Sequence, residues 1–214
     1  EPVVLLPTTR EFFAGLSEVW PNAPERAAMT DLVSGDAARQ AQGARTLSAT
    51  PLFDATLRTG ISPTILEAGV RHNVIPTEAC AMLSVRTLPG ESIDDVVDRL
   101  AGLVGDPAVH FEISHRGHDA PPSPSTSAAF AALRDSLHEI DPSIAAVPYL
   151  STGATESAFL RRWGVPTYGI LPFPLTMDDE SRMHGHDERV PVEALGFALR
   201  LVGGFVARLA VHAG

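Results

Sequence analysis

The chain has 214 residues, 44% hydrophobic and 20% charged, which is typical of a globular protein with one large or two small domains. Its formal net charge of −10 argues against a nucleic-acid partner, which needs a clustered basic surface. No segment is expected to reach the roughly 18 apolar residues of a membrane span, so no membrane partner is predicted.

The termini and the cysteine content suggest a compartment. The first residues lack a basic region and an initiator methionine, so we expect no signal peptide and a further part of the protein upstream. The single cysteine, Cys80, lies in an alternating apolar run and is expected to be a small core residue. One unpaired cysteine favours a reducing compartment, and we therefore predict a cytoplasmic protein.

The first part of the chain is predicted to combine helices with a small sheet. Apolar residues at helical spacing predict helices, and alternation at a period of two predicts half-buried strands. The order strand, strand, helix, strand is most of a ferredoxin-like split βαβ unit. The predicted elements are helix 9–19, helix 24–33, strand 55–61, strand 79–87, helix 93–104 and strand 109–113.

A change of pattern follows residues 117–127, a Pro- and Ser-rich linker. Beyond it helices alternate with apolar strands, which indicates an α/β layer. The apolar face of the last helix is expected to be Leu195, Leu199, Val202, Val206 and Leu209. The predicted elements are helix 130–140, strand 145–150, helix 155–163, strand 167–171 and a final helix with Pro191 in its first turn.

Residues 183–189, with the sequence MHGHDER, are the most suggestive candidate for metal chemistry. Imidazole is a common zinc ligand and carboxylates complete such sites. His184, His186 and Asp187 could therefore form a mononuclear site. Two histidines on a loop are also compatible with simple solvation, so the local pattern leaves both interpretations open.

Two other segments carry candidate binding residues. Residues 151–156 (STGATE) follow a predicted strand and open a helix, where small residues let the backbone approach a ligand; an ordinary capped turn fits equally well. Asn73 offers amide donors and an acceptor, and Arg86 offers a planar fork for a carboxylate. The alternative for Arg86 is a solvated surface residue.

In combination these segments resemble one family, that of aminoacylase, carboxypeptidase S, acetylornithine deacetylase and succinyl-diaminopimelate desuccinylase. Residues 62–69 (SPTILEAG), 73–76 (NVIP) and Arg86 with 88–90 (LPG) are similar to its lid domain. Residues 153–156 are similar to its Gly-Gly-Thr-Asp turn, and residues 182–190 to its His-Gly-x-Asp-Glu motif. The resemblance implies an α/β (α+β) fold, with a ferredoxin-like lid and dimerisation domain at 1–116 and the C-terminal part of an α/β zinc-peptidase catalytic domain at 117–214.

The resemblance also implies residue roles. His184 would be a ligand to one zinc of a pair, with Co or Mn as possible substitutes. Asn73 and Arg86 would bind substrate, reaching the active site of a partner subunit in a homodimer formed through the lid. Gly153 and Thr155 would line the substrate side of the catalytic domain. Ala154 and Glu156 depart from the family's Gly and Asp at that turn.

The implied reaction is cleavage of an amide bond next to a free carboxylate, in an N-acyl amino acid or small peptide. The family's other metal ligands and its general-base Glu lie upstream of the lid, and residues suited to those roles are not found in this sequence. We therefore expect this chain to be inactive alone and to pair with an N-terminal half. A non-catalytic dimerisation or binding module with a degenerate metal site is the alternative.

Overall fold

The computed structural model describes residues 1–117, 119–153 and 155–212. Helices predominate in these residues and are accompanied by one small antiparallel sheet, so the fold is of the mixed helix and sheet class. In chain order the elements are α1 (Pro7–Val19), α2 (Ala23–Val33), α3 (Ala37–Leu47), α4 (Pro51–Asp54), β1 (Gly60–Ala68), β2 (Ala79–Arg86), α5 (Ile93–Val104), α6 (Ala128–Ile140), α7 (Ser157–Arg162), α8 (Met177–Ser181) and α9 (Val192–His212).

The chain separates into two compact units. The first comprises Glu1–Pro121 and Tyr149–Thr155, and the second comprises Pro122–Pro148 and Glu156–Gly214. The change of unit near residue 121 lies within the Pro- and Ser-rich segment 117–127, where few packing residues are available. The assignment of residues 1–116 to a lid and of 117–214 to a catalytic domain remains a prediction.

The core of the first unit is aromatic and lies among its first four helices. Phe13 and Phe53 are 0% and 1% exposed, and their rings meet edge to face at 5.7 Å between centroids. Trp20 packs on Phe53 at 5.5 Å and donates its indole N–H to the Glu25 carboxylate at 2.6 Å. Because α1 ends at Val19 and α2 begins at Ala23, this contact fixes the turn between the two helices.

The helices of the first unit begin where polar caps are available. Asn22, Asp36 and Ser92 accept hydrogen bonds from the first-turn amides of α2, α3 and α5. Gly105 ends α5 in the left-handed conformation that glycine adopts without strain. Helix α3 and the short α4 were not predicted, since residues 34–53 lack a strong apolar period and contain several Gly and Pro residues.

Strands β1 and β2 form a hairpin that extends from this core. Gly60 pairs with Arg86 and Ala68 with Ala79, with an irregularity between Pro63 and Ile65. The part of β2 at residues 79–82 is exposed on both faces, so the predicted half-burial was wrong there. Cys80 is accordingly exposed rather than in the core. The alternating pattern reports which residues share a face, not whether a second layer covers that face.

Four strand predictions differ from the structure. Residues 55–58 form a turn, and the strand expected at 55–61 begins instead at Gly60. The segments 109–113, 145–150 and 167–171 are apolar and extended in pattern, but none is in a strand. A strand requires a neighbour to accept and donate its backbone hydrogen bonds, and within the described residues only β1 and β2 pair. The ferredoxin-like arrangement is therefore not formed by these residues.

The second unit is built on the packing of α6 against α9. Small side chains are buried on both helices: Ala132 and Ser136 on α6, and Ala194 and Ala198 on α9, are all at least nine-tenths buried. Gly204 lies so close that an added Cβ would be 3.4 Å from the Ser136 hydroxyl oxygen. Arg208 then donates to Ser136 at 3.2 Å and to Glu139 at 2.5 Å, which ties the two helices together.

Helix α9 also corrects a conclusion drawn from composition. Over Val192–Val211 it is long and apolar enough to cross a membrane by length and composition alone, although no segment was expected to be. This is weak evidence, because core helices of globular proteins pass the same test. The absence of a membrane partner therefore stays a prediction.

Candidate metal centre and substrate-binding residues

His184 lies in the loop between α8 and α9, at the surface of the second unit. Its backbone φ is +64°, and among the described residues it is the one non-glycine with a positive φ. The Gly185 N–H donates to the Arg182 carbonyl at 2.8 Å, so residues 182–185 form a tight turn. The His184 side chain makes no hydrogen bond or ion pair with another described residue, so the lone-pair nitrogen of its ring is available to bind a metal.

Ion pairs surround this turn. Arg182 contacts Asp178 on α8 at 2.7 Å and Asp187 beyond the turn at 2.6 Å. Arg189 also contacts Asp187, at 2.9 Å. The hydrogen bonds to Asp178 contribute most to raising the pKa of Arg182 above its usual value, so the guanidinium stays charged. The negative charge of Asp187 is therefore balanced by ion pairs with two arginines.

The start of α8 is fixed by a capping box. The Thr176 hydroxyl accepts from the Asp179 N–H, and the Asp179 carboxylate accepts from the Thr176 hydroxyl at 2.6 Å and from its N–H at 3.0 Å. These hydrogen bonds, the hydroxyl one foremost, hold the pKa of Asp179 below its usual range. The Asp179 carboxylate thus accepts hydrogen bonds that cap the start of α8, and we do not assign it a role as an acid toward a substrate.

The described residues do not form a complete metal site. They contain no group of three or more His, Cys, Asp and Glu side chains placed to hold a metal ion. His184, His186 and Asp187 are not brought together as such a group, and Asp187 is instead paired with Arg182 and Arg189. His184 fits the role of a single ligand, because it is exposed, unpaired and held on a constrained turn.

Gly153 and Thr155 lie in the first unit, in the short segment Tyr149–Thr155. Tyr149 packs on Phe12 at 5.4 Å between ring centroids, which anchors the start of this segment. The Gly153 N–H donates to the Ser151 hydroxyl at 3.2 Å, and both Gly153 and Thr155 are exposed. Helix α7 begins only at Ser157, and Ala154 lies outside the described residues. The turn is polar and accessible, as a substrate-lining segment would have to be.

Asn73 and Arg86 belong to the β1–β2 hairpin at different ends. Asn73 lies in the exposed connection 69–78, where the Val74 N–H donates to the Arg71 carbonyl at 3.3 Å. Arg86 ends β2 opposite Gly60, at the base of the hairpin. Its side chain is exposed and makes no ion pair or hydrogen bond with another described residue. The hairpin thus separates the two residues rather than bringing them together.

Sequence reasoning missed the arginine contacts around the His184 turn. Arg182 was quoted only as part of a motif, and Asp187 was considered as a metal ligand rather than as an ion-pair partner. A signal was present, because Asp178 and Arg182 are four residues apart, a spacing that places opposite charges together on a helix. The longer contact from Arg182 to Asp187 depends on the turn at His184, which no periodicity reports.

Comparison with known proteins places this arrangement in a class of hydrolases. Residues 30–208 match the model of peptidase family M20/M25/M40. The chain belongs to this family, whose members are metal-dependent hydrolases. The resemblance seen in the motifs is thereby confirmed.

Individual relatives are consistent with the family match. The chain is 32% identical over 150 residues to "Probable carboxypeptidase S-like 2" of Dictyostelium discoideum, covering 70% of this chain and 29% of that protein. It is 31% identical over 153 residues to "N-fatty-acyl-amino acid synthase/hydrolase PM20D1" of Homo sapiens, covering 70% and 30%. The chain therefore spans about three-tenths of the length of these relatives.

A solved structure shows the same fold. The crystal structure of a M20 family metallo-carboxypeptidase, Sso-CP2 from Sulfolobus solfataricus, superposes with a TM-score of 0.57 and 15% sequence identity. The match covers 95% of this chain and 45% of that chain. At this identity the likeness supports the fold alone.

Proposed function

We propose that the chain is the C-terminal part of a zinc-dependent amidohydrolase that cleaves an amide bond next to a free carboxylate. The observation that carries the proposal is the exposed, unpaired imidazole of His184 within the segment similar to the family's His-Gly-x-Asp-Glu motif. The names of the two relatives point to the same chemistry. A carboxypeptidase and a hydrolase of N-acyl amino acids both act on an amide whose nitrogen belongs to a residue with a free carboxylate.

The proposed cofactor is a pair of zinc ions in each intact subunit, with Co or Mn as alternatives. When bound, zinc would lower the pKa of a water molecule and polarise the amide carbonyl. His184 would hold one of the two ions. A catalytic zinc needs about three protein ligands, so we propose that the chain alone is inactive and that the remaining ligands and the general base come from the preceding part of the family fold.

Arg86 and Asn73 are proposed to bind the substrate. A free guanidinium can form two parallel hydrogen bonds to a carboxylate, which matches the common feature of the proposed substrates. Gly153 and Thr155 are proposed to line the substrate side of the catalytic domain. The proposed assembly is a cytoplasmic homodimer formed through a lid at residues 1–116, which the complete protein would build in ferredoxin-like form.

The experiment that tests the metal role uses His184→Ala and His186→Ala in the complete protein. His184→Ala is expected to abolish amide hydrolysis and to lower bound zinc, measured by metal analysis after dialysis. His186→Ala is the matched control, since His186 lies two residues away and has no ligand role in the resemblance. Equal losses in the two variants would contradict the assignment. A complete protein that binds no metal and hydrolyses no N-acyl amino acid would favour the non-catalytic module.

A further inference from the structure

The turn that presents His184 is strained. In a four-residue turn closed by Gly185 N–H and Arg182 C=O, the third residue is His184, with φ of +64°. Glycine or asparagine is the usual residue at a third position with positive φ. A histidine there brings Cβ close to the following carbonyl oxygen, which is unfavourable for an L-residue. Such a conformation persists where neighbouring contacts hold it, often at functional sites.

The glycine in this turn is required at the next position. A Cβ at Gly185 would lie 2.9 Å from the Arg182 carbonyl oxygen, closer than backbone and side chain can approach. Glycine at position 185 therefore allows the turn to close on the Arg182 carbonyl. The residue with the positive φ, at position 184, is a histidine rather than a glycine. Glycine at position 184 would remove the strain but also the side chain.

The Arg182 side chain is placed to hold the turn closed. Its guanidinium joins Asp178 on α8, at 2.7 Å, to Asp187, at 2.6 Å, two residues beyond the turn. The two carboxylates lie on either side of His184 in the chain. A planar fork can bond both at once, whereas a lysine would offer a single point charge.

We propose that Arg182 is a positioning residue for His184. By tying Asp178 to Asp187, it keeps the His184 backbone in the left-handed conformation and directs the imidazole away from its own loop. The inference rests on the proposed function, because a metal ligand is the reason for holding an imidazole at a fixed place. Side chains that orient a metal ligand contribute to metal affinity, and mutating them weakens metal binding.

The test uses amide hydrogen exchange and the HN–Hα coupling of the 214-residue chain, measured by NMR without metal. Arg182→Gln is expected to accelerate exchange at Gly185 at least about threefold, as loss of a surface ion-pair network allows local opening. It is also expected to shift the His184 coupling, which depends on φ. Arg189→Gln is the matched control: Arg189 contacts Asp187 too but does not reach across the turn, so Gly185 exchange should stay within about twofold of the unsubstituted chain.

Asp187→Asn provides a second variant that carries the test if Arg182→Gln fails to fold. It is expected to change Gly185 exchange and the His184 coupling in the same direction as Arg182→Gln. An unchanged coupling in the folded variants, or equal acceleration in Arg189→Gln, would overturn the proposal. These measurements need neither metal nor substrate, so failure of the positioning role is distinguishable from failure of the proposed activity.

Discussion

At the scale of single residues, exposure and pairing distinguish the candidate site residues from their neighbours. Several arginines of the described chain are in ion pairs, as in Arg58 with Asp54 and Arg116 with Asp94. Arg86 is exposed at the end of β2 without such a contact among the described residues. An unpaired guanidinium keeps its hydrogen-bond donors for a ligand, which is why Arg86 is the residue on which a carboxylate-binding role is best tested.

Arg86→Ala is expected to raise KM or lower kcat of the complete enzyme for carboxylate-bearing substrates while leaving the fold intact. The lost contact is a charge-assisted fork of about 1.5–3 kcal/mol. Arg71→Ala is a suitable control, since Arg71 is also exposed but lies in the hairpin connection. Steady-state kinetics would measure the effect, and equal changes in both variants would contradict a specific role.

Mixing Arg86→Ala subunits with His184→Ala subunits tests whether the site is shared between protomers. If Arg86 reaches the partner's active site, some mixed dimers hold one unsubstituted composite site and activity returns in part. Subunit exchange must be shown separately, for example by a size difference between tagged subunits. Exchange without recovered activity would mean that Arg86 acts within its own subunit or has no role.

At the scale of elements, close helix contacts are set by glycine and small side chains. Gly43 on α3 is buried against α2, and an added Cβ would lie 2.4 Å from the Ala28 carbonyl oxygen and 2.6 Å from the Leu32 nitrogen. Both neighbours are backbone atoms, which cannot rotate away. The helices would have to separate, and the packed core around Leu32 and Leu47 would loosen.

Gly43→Ala is therefore expected to destabilise the first unit by about 1–3 kcal/mol, as overpacking does. Gly102→Ala in α5 is the control, because an added Cβ there meets no atom within 4 Å. In a helix interior with open space, alanine should instead stabilise by roughly 0.5–1 kcal/mol. Urea unfolding would compare the two, and a stabilising Gly43→Ala would show that the α2–α3 contact is looser than described.

At the scale of the whole molecule, α9 presents an apolar face that the second unit does not cover. Val192, Leu199 and Val206 are 79%, 77% and 56% exposed. The family fold extends well beyond this chain, which covers 45% of the matched carboxypeptidase structure. We propose that this face packs against the remainder of the catalytic domain in the complete protein, since a contiguous apolar face is usually an interface.

Leu199→Gln combined with Val206→Gln should have opposite consequences in two settings. In the 214-residue chain the pair should leave thermal stability unchanged and reduce concentration-dependent association, followed by sedimentation. In the complete protein the same pair should destabilise by about 2 kcal/mol or more, because buried amides would lack partners. Leu201→Gln, at a residue of α9 that is 6% exposed, is the control and should destabilise both. Equal stability of the complete protein with and without the double substitution would contradict the proposed cover.

The amino-acid sequence by itself determined the helices with strong local signals and the family. Helices α1, α5 and α6 were predicted within a few residues, because apolar spacing depends on neighbours in the chain. The family was recognisable from motifs whose order and spacing fit. The comparisons confirm that assignment, whereas the roles of Asn73, Arg86, Gly153, Thr155 and His184 remain predictions.

Tertiary structure decided which faces and strands found partners. The buried face of α9 contains Ala194, Ala198 and Leu201. Each of these residues precedes a member of the apolar face expected from the sequence by one position, so the two faces differ by about 100° around the helix. The close approach of α6 to α9 at Ser136 and Gly204 depends on small residues on both helices. The sequence of α9 alone therefore does not predict which of its faces is packed. Strands at 109–113, 145–150 and 167–171 were not formed, because backbone hydrogen bonding needs a neighbour that periodicity cannot supply. The positive φ of His184 and the Arg182–Asp187 contact across its turn are likewise features of the folded chain that no periodicity predicts.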